Sequence, residues 1–71
     1  MAKLTEQLGS PIVLDQLLTP QQVAEYRGTT TGVLAQERFN RTGPRYVRDG
    51  RRIRYRASDI RAYIESSTVE H

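Results

Sequence analysis

The spacing of apolar residues changes several times between Leu17 and Ile64, and each change predicts an element. Leu17-Leu18 precedes Thr19-Pro20-Gln21-Gln22, which reads as a helix start. Thr19 suits the N-cap, and Pro20 suits the first helical position, where its missing N–H does no harm. Gln22 completes a capping box, and Leu18 holds the staple position before the cap. Val23, Ala24 and Tyr26 follow, and Gly28 closes the helix with a residue free to take positive φ. Among Thr29-Thr30-Thr31, Thr30 is the expected cap of a second helix running to about Asn40, roughly 10 residues and 15 Å long. Leu34 is its expected inward anchor and Phe39 a second apolar contact, and Thr42-Gly43-Pro44 ends it.

From Arg45 the period becomes two. Arg45-Tyr46-Val47-Arg48 and Arg51-Arg52-Ile53-Arg54-Tyr55-Arg56 flank Asp49-Gly50, a strong signal for a two-residue hairpin turn. Folding about that dipeptide pairs Arg48 with Arg51, Val47 with Arg52, Tyr46 with Ile53, and Arg45 with Arg54. Tyr46, Ile53 and Tyr55 then share the core face, while Arg45, Val47, Arg52, Arg54 and Arg56 share the other. Like charges opposite one another destabilise a bare hairpin unless the side chains splay into water or a polyanion neutralises them. Ser58 is the expected cap of a last helix over roughly 58–66, with Ile60, Tyr63 and Ile64 as an i, i+3, i+4 inward stripe.

The ends are less patterned. Residues 1–16 read as an extension in which Leu4 and Leu8 allow one helical turn, with Ile12-Val13-Leu14 a short apolar run suited to capping a core or meeting a partner. Residues 17–66 read as the domain and 67–71 as a frayed tail. With 71 residues there is one domain, and such a chain buries only roughly 60% of its unfolded surface. It holds no cysteine and one histidine, His71. No disulfide is available, and a zinc site lacks ligands. There is no secretory pattern at the start and no apolar run of membrane-spanning length. The expected location is the cytoplasm, with no membrane partner.

Charge sharpens the picture. Arg38, Arg41, Arg45, Arg48, Arg51, Arg52, Arg54 and Arg56 fall within nineteen residues that hold one acid, Asp49. That stretch carries +7 and the rest of the chain −4, which together give the net +3. Most charge runs are solvated faces, but such faces mix lysine with acids, and these eight cations are all arginine. Guanidinium matches phosphate with a planar fork and enters narrow minor grooves readily. A concentrated cationic edge on a small domain is the footprint of a nucleic-acid binder. Helix, tight turn and helix followed by a hairpin and a last helix is mainly α with a small β-hairpin. It is the layout of a winged helix-turn-helix, whose second helix reads DNA.

From Leu17 to about Ile64 the chain resembles the excisionase-type and AlpA-type DNA-binding domains of the MerR-like superfamily. The residues that carry the resemblance are Leu17-Leu18-Thr19-Pro20, Val23-Ala24-Glu25-Tyr26, Gly28, Leu34 and Thr42-Gly43-Pro44. They continue with Tyr46-Val47-Arg48, Gly50-Arg51, Ile53-Arg54-Tyr55-Arg56, Ser58-Asp59-Ile60 and Ala62-Tyr63-Ile64. The resemblance implies a second helix in the major groove and a hairpin acting as a wing on an adjacent minor groove or backbone. Small phage proteins of this kind assist a tyrosine integrase in prophage excision, and AlpA-like relatives regulate transcription. Three positions depart from the pattern: Arg27 where leucine is common, Thr29 where valine is common, and Glu37 where an aromatic is common. These lie under the second helix, and Arg27 is expected to pair with Glu37 in place of an apolar plug.

The expected DNA-reading residues are Thr30, Thr31, Gly32, Ala35, Gln36, Arg38 and Arg41 on the second helix. On the wing they are Arg45, Arg48, Arg51, Arg52 and Arg54, while Arg56 stands between binding and structure. Gln36 suits adenine and a threonine methyl suits thymine; Thr30 is more simply a cap. Tyr46, Tyr55 and Tyr63 are expected at core edges rather than stacked on bases. No cysteine, internal histidine or carboxylate pair forms a catalytic constellation, so neither an enzyme nor a cofactor nor a small-molecule ligand is expected. The expected partners are double-stranded DNA, further copies of the chain on adjacent sites with a bent duplex, and a tyrosine integrase. The rival readings are a transcription regulator of the AlpA kind and a module whose basic face docks an acidic protein.

Overall fold

A computed structural model of the chain describes residues 14–69. The expected turn at Leu4 and Leu8, the run Ile12-Val13 and the last residues Glu70 and His71 lie outside them. The order is β1 (Leu17–Leu18), α1 (Pro20–Arg27), α2 (Thr31–Asn40), β2 (Val47–Asp49), β3 (Arg52–Arg56) and α3 (Ala57–Ser66).

The first two helices start as their sequences dictate. Thr19 Oγ1 accepts from the N–H of Gln22 at 3.1 Å, and Gln22 Oε1 accepts from the N–H of Thr19 at 2.9 Å, so the capping box is complete. Thr30 Oγ1 accepts from the N–H of Val33 at 3.1 Å. Both helices end on a residue in the left-handed region, Gly28 at φ +72° and Arg41 at φ +60°. The chain then turns back onto the helix. The N–H groups of Thr29 and Thr42 reach the carbonyls of Ala24 and Glu37, each at 2.8 Å.

The sheet differs from the expected hairpin in two ways. It has three antiparallel strands in the order β1-β3-β2, because Leu17 pairs with Arg56 and Leu18 with Tyr55. The hairpin register is also shifted by two: Val47 pairs with Arg54, Arg48 with Ile53 and Asp49 with Arg52. The turn residues are Gly50 and Arg51, with positive φ at Gly50 alone, the pattern of a type II′ turn. The shift has an electrostatic reason. Pairing around Asp49-Gly50 sets Arg48 against Arg51 and Arg45 against Arg54. The observed register replaces those pairs with Arg48–Ile53, Val47–Arg54 and an acid facing a base, Asp49–Arg52. A shift of two leaves the faces unchanged, so Tyr46, Ile53 and Tyr55 still share one side.

Val23, Ala24, Leu34, Tyr55 and Ile60 form the buried core, with Leu18, Ile53 and Ile64 against it. Phe39 is not part of it and is 83% exposed. It lies five residues from Leu34, about 140° around the helix at 3.6 residues per turn. The inward positions beside Leu34 belong to Glu37 and Arg38. The last helix also starts differently. Arg56, not Ser58, is the N-cap, and its side chain makes no capping hydrogen bond. Ser58 instead gives its backbone N–H and its hydroxyl to the carboxylate of Asp15. The N–H of Ala57 reaches the carbonyl of Gln16 at 2.9 Å. The segment just before β1 thus satisfies the start of α3. Beyond α3, Ser67 and Thr68 fold back onto its last turn, the Thr68 hydroxyl donating to the carbonyl of Ile64 at 3.0 Å. Among the described residues, no helix is long and apolar enough to cross a membrane.

Candidate nucleic-acid interface

Two charged side chains hold α1 against α2. Arg27 Nη1 and Nη2 donate to Glu37 Oε1 and Oε2 at 2.8 and 3.0 Å. The side chains keep 14% and 18% of their exposure. The Arg27 guanidinium also lies 4.9 Å from the centroid of the Tyr63 ring. The hydrogen bond to Arg27 and its positive charge outweigh burial and hold the Glu37 carboxyl below the usual range; the hydrogen bond to Glu37 raises Arg27. The expected pairing is therefore present, as a bidentate fork that uses both carboxylate oxygens. Gly43 covers it. A Cβ there would come within 2.7 Å of Glu37 Oε1, and its φ is +78°.

Around this clamp α2 presents its expected reading residues. Thr30, Thr31, Gly32, Ala35, Gln36 and Arg41 are exposed. Thr30 is occupied as the cap. Arg38 is half-buried and turned toward the sheet. Its Nη1 donates to the Tyr55 hydroxyl at 2.6 Å, and its guanidinium lies 5.8 Å from the Tyr46 ring centroid. Tyr46 in turn lies 6.3 Å from Tyr55. This stack makes Arg38 a support of the sheet–helix junction. It also places Tyr55 inside the core, deeper than the expected edge position, and Tyr46 at the core's edge. Tyr63, under Arg27, holds an edge position on α3.

The hairpin arginines divide by strand alternation. Arg48 projects to the side of Tyr46 and Ile53, toward the helices, and is exposed. Arg51 is exposed at the turn. Arg52 and Arg54 project from the opposite side with Val47 and Asp49. Arg52 lies 3.7 Å from Asp49, and Arg54 is half-buried with Nη1 donating to the Ile53 carbonyl at 2.8 Å. Arg56 pairs with Asp59 at 3.3 Å, which favours its structural role. Arg38, Arg41 and Arg45 line one cleft together with Tyr46, where the end of α2 meets the entry to β2. Among the described residues, Arg41, Arg45, Arg48 and Arg51 have no acid within ion-pair distance.

The structure therefore joins the end of α2 to the hairpin through one cationic cleft and sets the hairpin's charges on two faces. Two features were absent from the sequence reading. Diversion of Arg38 depends on the distant Tyr55 hydroxyl, a contact that no local pattern encodes. The exposure of Phe39 was detectable, since a helical wheel centred on Leu34 turns it outward. Among the described residues, no group of three histidines, cysteines or acids is placed to hold a metal ion. No protein-family model matches the chain, and no curated protein matches its sequence.

Proposed function

We propose that this chain is a winged helix-turn-helix protein that binds duplex DNA, with α2 in the major groove and the β2–β3 hairpin as its wing. The observation that carries the reading is the junction at Arg38, Arg41, Arg45 and Tyr46. There an exposed, well-capped helix runs into a ribbon rich in arginines free of acidic partners. The division of the ribbon's charges suits this role. A hairpin tip entering between two rows of phosphates meets one row with each face, Arg48 on one side and Arg52 on the other. Arginine neutralises phosphate and releases counterions, so most of the affinity is insensitive to sequence. The resemblance to excisionase-type domains gives the biological form of the proposal. Copies bind adjacent sites cooperatively, bend the duplex and direct a tyrosine integrase toward excision. A single footprint of this size covers little DNA, so selectivity needs several copies.

Salt dependence tests the binding reading. With roughly five phosphate contacts, log K falls against log salt with a slope of about −4 to −5. The Arg48→Ala/Arg51→Ala variant, with an unchanged melting temperature, brings the slope about 2 units nearer zero. A slope near about −1 for the unaltered chain removes the hairpin as the binding surface. The excision reading is tested by circular-permutation gels and by titration of duplexes with one and several sites. Straight DNA and a single non-cooperative step contradict it.

A further inference from the structure

At about 100° per residue, the turn of α2 that buries Leu34 directs Gly32, Gln36, Phe39 and Asn40 away from the protein. All four are exposed. Phe39, at 83%, is a large aromatic on an otherwise polar line. The helix's internal arginine, Arg38, is held by the Tyr55 hydroxyl and the Tyr46 ring and does not join that line. These identities constrain what the helix reads. Arginine and lysine pair with guanine, asparagine and glutamine pair bidentately with adenine, and phenylalanine or alanine meets the thymine methyl. The outward line lacks the guanine-reading type and holds both amides beside an apolar ring.

We propose that α2 selects A·T pairs in the major groove, with Gln36 and Asn40 bonding adenine edges and Phe39, flanked by Ala35, seated on thymine methyls. Resting on the duplex-binding function above, the proposal adds the base class that the helix prefers. Gln36 and Asn40 are one turn apart, about 6 Å along the axis, or about two base steps of about 3.4 Å. A helix lying along the groove therefore brings the two amides to separate adenines. A Cβ at Gly32 would meet only Thr30 Oγ1, at 3.7 Å, so the protein's own structure does not require glycine there. The bare backbone at the leading end of the line allows a duplex to come close. Exposed Arg41, one residue beyond Asn40, and Arg45 across the cleft are placed for flanking phosphates. That charge favours a polyanion over an apolar protein surface as the partner of Phe39.

The test selects duplexes from a random pool with the full chain, then measures affinity for a recovered site and for the same site carrying deoxyuridine in place of thymidine. Recovered sites rich in A·T support the proposal. So does a loss of about fourfold for each thymine methyl removed, the value of one buried apolar carbon. The Phe39→Ser variant, whose melting temperature should match the parent's, loses most of the discrimination between the thymidine and deoxyuridine sites, keeping only the share carried by Ala35. Gln36→Ala/Asn40→Ala loses at least about tenfold on the recovered site and little on unrelated duplex. Steeply salt-dependent duplex binding without discrimination between thymidine and deoxyuridine overturns this proposal and leaves the DNA-binding function standing. G·C-rich recovered sites do the same. Absence of binding to any duplex overturns both, and retention of an acidic protein by Phe39 in its place would mark the helix as a protein-docking face.

Discussion

Arg27 and Arg48 share a side chain and a charge, but their surroundings are opposite. Arg27 lies between α1 and α2, forked onto both oxygens of Glu37 and stacked against Tyr63, with 14% of its surface in water. Arg48 stands on the rim of the hairpin, exposed, opposite Ile53, with no acid in reach among the described residues. The helical pair uses guanidinium as a structural part in a chain too short to fill every position with apolar contacts. The hairpin leaves its guanidinium groups outward, and the strand register even avoids setting them against each other. The chain's arginines are thus separated in space into a structural portion (Arg27, Arg38, Arg56) and an available one (Arg41, Arg45, Arg48, Arg51). Removing Arg27 should destabilise the protein; removing the available set should disarm it.

The largest expected effect breaks the structural side of that contrast. Arg27→Ala or Glu37→Ala leaves the other charge partly buried without its partner, and each should lower stability by about 2–3 kcal/mol. Because each loss contains the same interaction, the double variant should cost much less than the two singles combined. Independent losses in urea unfolding contradict the clamp. Gly43→Ala attacks the same pair from outside, since its Cβ would meet the Glu37 carboxylate. The clamp also sets a pH dependence. Glu37 is held below its ordinary value of 4.5, so its contribution is fully present above that pH and is lost as pH falls through the depressed value. Arg27 is raised and stays charged throughout the accessible range. Glu37→Gln should flatten the acid limb of the stability profile, and an unchanged limb argues against the pairing.

The elements written by adjacent residues were legible in the sequence. Thr19-Pro20-Gln21-Gln22 and Thr30 specify caps through contacts three residues apart. Arg27 and Glu37 were legible as a pair because two charged departures at neighbouring positions under one helix explain each other. What was hidden depends on remote partners. Leu17-Leu18 becomes a strand only because β3 offers an edge, and a two-residue strand has no alternation to display. Ser58 looks like a cap until Asp15, supplied from before β1, takes its N–H. Asp-Gly is the commoner turn signal, but repulsion between cross-strand arginines moved the turn to Gly50-Arg51. At the candidate site, the list of exposed cations was mostly readable. The exceptions were Arg54, half-buried on the Ile53 carbonyl, and Arg38, whose partner Tyr55 becomes a neighbour only after β3 docks on the core.

Arg41 sharpens the contrast between the two kinds of arginine, because stability and function should move in opposite directions there. It closes α2 at φ +60°, the sole positive φ of a non-glycine residue among those described. Gly28 closes α1 in the same region without a Cβ. Relieving the left-handed conformation with Arg41→Gly should raise stability by about 1 kcal/mol. It should also weaken duplex binding and bring the salt slope nearer zero by about 1. A glycine variant that is more stable and binds undiminished would show that Arg41 is kept for neither purpose.

The smallest expected effect concerns the one acid inside the cationic stretch. Asp49 and Arg52 face each other at 3.7 Å with 60% and 69% of their side chains exposed. An exposed pair of this kind is worth little, so Asp49→Asn should change stability by less than about 0.5 kcal/mol. Its effect on DNA should have the opposite sign to that of every arginine removal. Taking one negative charge from the hairpin frees Arg52 for phosphate, so binding should tighten at low salt and converge with the parent's at high salt. If binding instead weakens while the fold is intact, Asp49 holds Arg52 in its binding position. The available half of the arginine set would then depend on a structural contact after all.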